Sequence, residues 1–366
     1  MGLSQAPDAP VVLVLYSEAM GYTYNVLRGV RETGAEVHLV YWDNETLTPY
    51  VPRETFGIVR YPRSRFDDAG LLALQRRLSP DIIVTSGWFD TGYVAATRRY
   101  AREQPGVAIV LALDTRFERT FRKLILGPLA FRLKYRQYTG VWAAGPPQFA
   151  YARYLGFSES EIAGGLLVGD ATLMRPDLTA PPRRRFVYVG RLAPEKAPGL
   201  LIRAYGELPP STRRAWPLEI YGDGPLRDEL ARISSEGVVF KGWTDGPTLG
   251  AALAEGGVLV VPSSSEAWGV IVHEGALAGL SLVLSDRVGA SHTFLIPGYN
   301  GASFPHDSSR ALLQILRGYC ADGAERLARE RDRSLGLAKR ITTETSAHAL
   351  LSLASTHWGA SQRSTP

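Results

Sequence analysis

The sequence predicts two successive α/β domains, each a parallel sheet with helices on both faces. Three observations carry this. Short apolar runs rich in β-branched residues alternate with longer stretches of helical spacing, and the runs show no polar alternation. Strands of that kind belong to sheets buried on both faces. The alternation also halts at a Pro- and Arg-rich stretch and then begins again. A length of 366 residues fits two such domains.

In order, Val11–Tyr16 reads as a strand and Tyr24–Thr33 as a helix closed by Gly34. Val37–Trp42, Asp81–Thr85 and Val107–Leu113 read as further strands. Arg175–Arg185, with Pro176, Pro181, Pro182 and three consecutive arginines, reads as a linker, which gives domains of 1–176 and 177–340. The second half resumes with Phe186–Val189, a helix containing Leu200–Gly206, and Leu218–Tyr221 running into Gly222-Asp223-Gly224-Pro225. Strands at Val238–Phe240, Val258–Val261 and Leu282–Ser285 follow, and Ala338–Trp358 has helical spacing. In such sheets ligands lie at the carboxyl ends of the strands.

Composition narrows the class. The chain is 45% hydrophobic and 21% charged, so it buries a sizeable core. Cys320 is the single cysteine, which excludes an intrachain disulfide and suits a reducing compartment. Met1–Pro10 lacks the order of a signal peptide. No apolar run reaches the roughly 18 residues of a membrane span. A cytoplasmic protein, soluble or peripheral at the inner face of a membrane, is expected. The excess of 41 Lys and Arg over 36 Asp and Glu, 41 − 36 = +5, is modest and identifies no partner, nucleic acid included.

The chemistry concentrates between Pro262 and Asp286. Glu266 and Glu274 stand eight residues apart, about 800° of helix, hence on about one face if the helix is continuous. If Glu266 lies on the loop leading in, both carboxylates still face one ligand. The amides of Ala267, Trp268 and Gly269 are expected to open the helix and attract anionic oxygens. A carboxylate accepting from two neighbouring hydroxyls reads a ribose diol. The plainer alternative makes Glu266 a cap and Glu274 a solvated helix residue. Upstream, Arg191 and Lys196 follow a strand end, where cations can hold a diphosphate and stabilise the charge that develops on it.

Taken in order, Gly190-Arg191-Leu192, Glu195-Lys196, Gly222-Asp223-Gly224-Pro225, Phe240-Lys241-Gly242-Trp243, the Glu266–Glu274 pair and Ser285-Asp286 with Gly289 resemble the family 4 glycosyltransferases. The likeness is strong over Phe186–His306 and architectural elsewhere. It implies a GT-B architecture, two Rossmann-like doubly wound domains facing each other across a donor-binding cleft. Residues 341–366 are then expected to pack back onto the first domain. The implied reaction is retaining transfer of a sugar from a nucleotide-diphosphate sugar to a glycan, lipid-linked or small-molecule acceptor, with no cofactor and no divalent metal. No Asp-x-Asp pair occurs in the chain. The resemblance assigns Arg191 and Lys196 to the diphosphate, Glu274 to the ribose, Glu266 to the donor sugar and the backbone around Trp243 to the base. A diol-reading Glu274 favours UDP, GDP or ADP donors over thymidine ones.

The first half departs from the family. One glycine, Gly21, stands where relatives often have a Gly-Gly turn, and can still let the loop approach the donor. Asp114 follows Val107–Leu113 where many relatives place a histidine; it reads either as a hydroxyl-orienting group or base, or as a helix N-cap. Trp88, Tyr22 and Tyr24 read as sugar-stacking or as core aromatics. Residues 116–136 interleave cations with apolar residues, which fits a peripheral membrane contact or an ordinary helix with a solvated basic face. A catalytically degenerate protein that binds a nucleotide or partner without transfer is the competing reading.

Overall fold

The computed structural model describes residues 9–43, 52, 54–116, 131 and 133–361, with side chains to residue 355. The chain divides into two compact units, Met1–Val168 with Ile341–Pro366, and Gly169–Arg340.

The first unit contains β1 (Val11–Tyr16), α1 (Gly21–Glu32), β2 (Glu36–Tyr41), β3 (Val59–Pro62), α2 (Asp68–Leu78), β4 (Ile82–Ser86), α3 (Thr91–Glu103), β5 (Ala108–Leu113), β6 (Gly140–Ala143), α4 (Pro146–Tyr154) and β7 (Ile162–Ala163). The sheet order is β3-β2-β1-β4-β5-β6-β7, with every pairing parallel. β1, β4 and β5 are almost wholly buried, as their unbroken apolar runs require. Helix starts follow local chemistry. Asp67 caps α2 by accepting from Gly70 N at 2.7 Å, and Asp90 caps α3 by accepting from Tyr93 N at 3.0 Å.

The second unit contains β8 (Phe186–Val189), α5 (Pro198–Gly206), α6 (Pro210–Ala215), β9 (Leu218–Tyr221), α7 (Arg227–Ile233), β10 (Val238–Gly242), α8 (Gly246–Ala254), β11 (Val258–Val261), α9 (Val270–Leu277), β12 (Ser281–Ser285), α10 (Ser291–Phe294), β13 (Gly301–Phe304) and α11 (Ser309–Ala338). The order is β10-β9-β8-β11-β12-β13, again all parallel. Gly323, at φ 63° and ψ −142°, interrupts α11 and makes it two helical pieces.

The last helix, α12 (Thr343–Ser361), belongs to the first unit. It packs on α1 at Gly29, where an added Cβ would stand 2.7 Å from the Thr343 carbonyl oxygen. Ser346 Oγ donates to Gly165 O, and Ala347, Leu350 and Ala354 are buried. The helical spacing from Ala338 to Trp358 therefore conceals a break, because Ala338 ends α11 and α12 starts at Thr343.

Two features of the anticipated linker differ. The first crossing lies at Val168/Gly169, eight residues before 176/177, because Gly169 N donates to His273 Nδ1 at 3.0 Å and so joins the second unit. Arg185, at the linker's end, is 1% exposed. Its Nη1 lies 2.5 Å from Glu219 Oε2, its Nε donates to Gly256 O at 2.9 Å, and its Nη2 donates to Ala252 O. Tyr221 Oη donates to the same Glu219 oxygen at 2.9 Å.

Candidate functional site

In both sheets the strand order reverses beside the first strand of the unit, between β1 and β4 and between β8 and β11. Loops leaving strands on either side of such a switch point diverge and leave room for a ligand. The residues singled out in the second half fall on those loops. Arg191 and Lys196 follow β8, and Glu266 follows β11.

These loops are stitched together. Glu195 O accepts from Ser264 N at 2.9 Å and from Ser264 Oγ at 3.2 Å. That fixes Lys196, whose Nζ lies 2.5 Å from Glu266 Oε2. Both side chains are partly buried, at 26% and 14% exposed. Arg191 Nη2 lies 2.5 Å from Glu195 Oε1. This guanidinium holds the Glu195 carboxyl below its ordinary range. Glu266 also forms a parallel bridge with Val288, and Gly289 N donates to Glu266 O at 3.0 Å. Trp243 stands 65% exposed after β10.

Helix α9 starts at Val270, three residues later than Ala267. Gly269 is its N-cap at φ +91°, in the left-handed region that glycine adopts freely, and a Cβ there would meet Glu266 Cγ at 3.0 Å. Glu266 thus sits on the loop and not on the helix. Trp268 is 2% exposed and packs edge-on against Phe294, with ring centroids 6.1 Å apart. It is a wall of the loop rather than part of an open helix mouth.

Glu274 and its neighbour His273 lie on α9. Burial pushes the Glu274 carboxyl up to about 7, and the charge of Asp170 adds to the shift. His273 is fully buried and stacks on Phe294 at 4.3 Å. Its Nδ1 accepts from Gly169 N, so the ring is neutral with its proton on Nε2, which donates to Ala338 O at 3.0 Å. One imidazole therefore holds both the entering and the leaving segment of this unit. Burial pushes it down to about 4, partly opposed by the Ala338 carbonyl.

These two shifts give a testable pH dependence. Between pH 4 and 6.5 the unfolded chain holds a proton on residue 273 that the folded chain lacks, so stability falls on acidification. Between pH 4.5 and 7 the folded chain holds a proton on Glu274 that the unfolded chain lacks, so stability falls as pH rises. From 4.5 to 6.5 the two slopes oppose each other at up to about 1.4 kcal/mol per pH unit. Relative to wild type, His273→Gln should lose stability as pH rises through that window, and Glu274→Gln should gain it. Urea unfolding at three pH values reads both, and parallel curves for all three proteins would refute the pairing.

In the first unit, Asp114 and Gly21 lie on the corresponding side of the sheet. Gly21 opens α1, whose start is closed by Met20 N donating to Thr23 Oγ1 at 3.2 Å. Asp114 follows β5 on the wall of a cavity of about 360 Å³ with Tyr16, Glu18, Tyr22, Trp42, Trp88 and Phe89. Solvent reaches its carboxyl, yet the crowded surroundings raise it above the usual range, and a bond from Thr115 Oγ1 opposes the shift. Any helix for Asp114 to cap lies outside the described residues, as does most of 116–136. Tyr24 is a core residue at 2% exposure, and Trp88 is half-buried against Phe131. Among the described residues no group of three or more His, Cys, Asp or Glu is placed to hold a metal ion, and no helix is long and apolar enough to cross a membrane.

Residues 183–322 match the family model described as Glycosyl transferases group 1. Over 104 residues the chain is 34% identical to the sulfoquinovosyl transferase SQD2 of Arabidopsis thaliana, covering 28% of this chain and 19% of that one. It is 33% identical over 107 residues to an uncharacterized glycosyltransferase of Methanocaldococcus jannaschii, covering 28% and 27%. The chain thus spans less than a third of the length of these curated relatives. Whole-chain likeness appears among solved structures. Anabaena HepE, solved in complex with UDP, superposes with a TM-score of 0.69 at 15% identity, covering 96% of this chain and 99% of that one. Sucrose-phosphate synthase from Thermosynechococcus elongatus gives 0.68 at 17% identity, covering 97% and 98%. At such identities the likeness carries the fold. The two units accordingly have the fold of GT-B glycosyltransferases, and residues 183–322 of the second unit are similar to the group 1 glycosyl transferases.

Proposed function

We propose that the chain is a glycosyltransferase that moves a sugar from a nucleoside-diphosphate sugar to an acceptor, with retention at the anomeric carbon and without a divalent metal. The observation that carries this is the Lys196–Glu266 pair at the switch point of the second sheet, with Arg191 beside it. Each cation is held by a carboxylate and can exchange it for the oxygens of a diphosphate. When the bond from the anomeric carbon to phosphate oxygen breaks, its electron pair goes to the diphosphate. Lys196 and Arg191 stabilise that charge in place. The acceptor hydroxyl oxygen bonds the same face, and its proton passes to the departing phosphate oxygen. Glu274 reads the ribose diol, Glu266 the donor sugar and the backbone around Trp243 the base. Gly21 lets the first loop approach the donor, and Asp114 orients an acceptor hydroxyl.

Uridine donors come first, because HepE was solved with UDP. UDP at about 100 times its dissociation constant should raise stability by roughly 2.7 kcal/mol, seen as a thermal shift. Glu274→Ala and Arg191→Ala should abolish it. Because Glu274 accepts hydroxyls as a carboxylate, UDP affinity should also fall below pH 7, where it takes up a proton. Turnover from UDP-glucose unaffected by EDTA would support the metal-free reaction. A nucleotide response with no transfer from any donor would leave the binding-only reading standing.

The peripheral membrane contact is a separate proposal. Arg98 and Arg102 on α3 join Lys134 and Arg136 around a cavity of about 540 Å³, beside Leu133, which is 57% exposed. Salt-sensitive sedimentation with anionic vesicles is the expected result. Its absence would end that idea.

A further inference from the structure

The basic cavity of the first unit lies at the other end of its sheet from Asp114. Helix α3 runs down to the amino end of β5, and residues 133–137 lead into the amino end of β6. Between them is the space of about 540 Å³, with Arg98 and Arg102 on the helix wall and Lys134, Arg136 and Gln137 facing them. The two arginines are four residues apart and so share one face of α3. Six residues of β5, at about 3.3 Å each, set this cavity roughly 20 Å from the carboxyl ends where Asp114 stands. Its walls are joined, because Arg98 Nη2 donates to Lys134 O at 2.6 Å. Tyr138, next along the chain, is buried and accepts from Thr85 Oγ1 at 3.0 Å.

The charge here is uncompensated. Among the described residues no carboxylate lies within ion-pair distance of Arg98, Arg102, Lys134 or Arg136, whereas Arg99, on the adjoining face of α3, has Glu103 at 4.0 Å. The sequence from 116 to 136 holds one carboxylate, Glu118. Like charges gathered in one hollow raise each other's energy, so the site gains by taking an anion. Guanidinium forks and a lysine suit a phosphate in particular.

Gln137 narrows the ligand further. It is 8% exposed, and neither its amide nitrogen nor its amide oxygen has a hydrogen-bond partner. Buried polar atoms are ordinarily bonded, so an unmet donor and acceptor together on a cavity wall point to a ligand. The last torsion of a glutamine is broad, and turning it presents both atoms to the space the side chain already lines. A hydroxyl, which donates and accepts, complements such an amide.

We propose that this cavity binds a phosphorylated polyol, its phosphate on Arg102, Lys134 and Arg136 and a neighbouring hydroxyl on the Gln137 amide. The same chemistry is offered by a soluble polyol phosphate and by a lipid headgroup. The site is remote from the strand ends where transfer is proposed, and it does not rest on that reading. It differs from the peripheral contact above in selecting one chemistry and not charge alone. Its ligand bridges α3 and the segment before β6, and so stiffens the first unit from outside the reaction.

Isothermal titration of the full chain with glycerol 3-phosphate, inorganic phosphate and glycerol tests this without turnover. Glycerol 3-phosphate should bind most tightly and glycerol not at all. Arg102→Ala combined with Arg136→Ala should weaken it about ten-fold or more, the worth of a lost charge-assisted hydrogen bond. Arg99→Ala and Lys196→Ala should leave it unchanged, which separates the cavity from general surface charge and from the diphosphate loop. Gln137→Leu should keep phosphate binding but erase the preference for glycerol 3-phosphate. Having lost two unmet polar atoms, that variant should not melt earlier than wild type. Vesicles give the source. At equal charge, more protein held by phosphatidylglycerol than by phosphatidylserine, with the difference lost in Gln137→Leu, identifies a headgroup; equal retention identifies the soluble ligand. The proposal is overturned by equal weakening in Arg99→Ala, by no preference for the polyol over inorganic phosphate, or by failure of both glycerol 3-phosphate and phosphatidylglycerol to bind. Polyol phosphate binding with no UDP response would keep this site and remove the donor reading.

Discussion

Lys196→Ala should lower kcat/KM by about 10²–10³-fold, the usual effect of removing one preorganised group that stabilises developing negative charge. Two features make this lysine the sensitive one. Its position is set by backbone, through the bonds from Ser264 to Glu195 O. Its ammonium also meets Glu266, which is only 14% exposed, so the substitution leaves a largely buried carboxylate without its cation at the proposed diphosphate site. Both binding and chemistry should suffer, with the larger loss in the chemical step. Single-turnover rates at saturating donor separate the two. Lys196→Arg should recover part of the rate, because the charge remains but the compact ammonium is replaced by a fork. A change within three-fold for Lys196→Ala would remove this residue from the mechanism.

Arg185→Ala should destabilise the second unit by about 3 kcal/mol, the lower end of the cost of removing one partner of a buried ion pair. Glu219 is 5% exposed; burial acts to raise its carboxyl, yet Arg185, then Tyr221, hold it below the usual range. Without the guanidinium that carboxylate keeps only Tyr221 and the more exposed Arg183, whose Nη2 lies 3.3 Å from Oε1, and the Gly256 and Ala252 carbonyls lose their donor. Replacing Arg185 and Glu219 together by methionine should cost much less than either single change. The urea midpoint followed through Trp216, which is buried beside β8 and stacked on Phe186, reads the effect. A loss below about 1 kcal/mol would show that the pair is dispensable.

Strands packed on both faces announce themselves, and β1, β5 and β12 were legible because every residue in them is apolar or small. β3 escaped because an edge strand reading Val-Arg-Tyr-Pro carries no apolar run. β6 (Gly-Val-Trp-Ala) and β13 (Gly-Ala-Ser-Phe) escaped because each opens on glycine and carries at most two large apolar residues, where β8, β9 and β11, equally short, carry three or four. In the candidate site the residue types were legible and their pairings were not. Lys196 and Glu266 are 70 positions apart, and His273 meets partners 104 and 65 positions away. Nothing local reveals that His273 joins two chain crossings. Trp268 was misplaced for a different reason: the helix begins only after the left-handed turn at Gly269, so the preceding residues wrap inward. The exposure of Phe89 becomes visible only once Trp88 is seen to lie against it.

Helix α12 also sets which unit can fold without the other's last segment. The second unit is one uninterrupted stretch, whereas the first closes only when its final segment has returned. The later-made unit can therefore complete its core without the final segment, whereas the earlier-made one must wait for it with the Gly29 face of α1 uncovered. A chain truncated after residue 340 should be protease-resistant over 169–340 and still cleavable within 1–168.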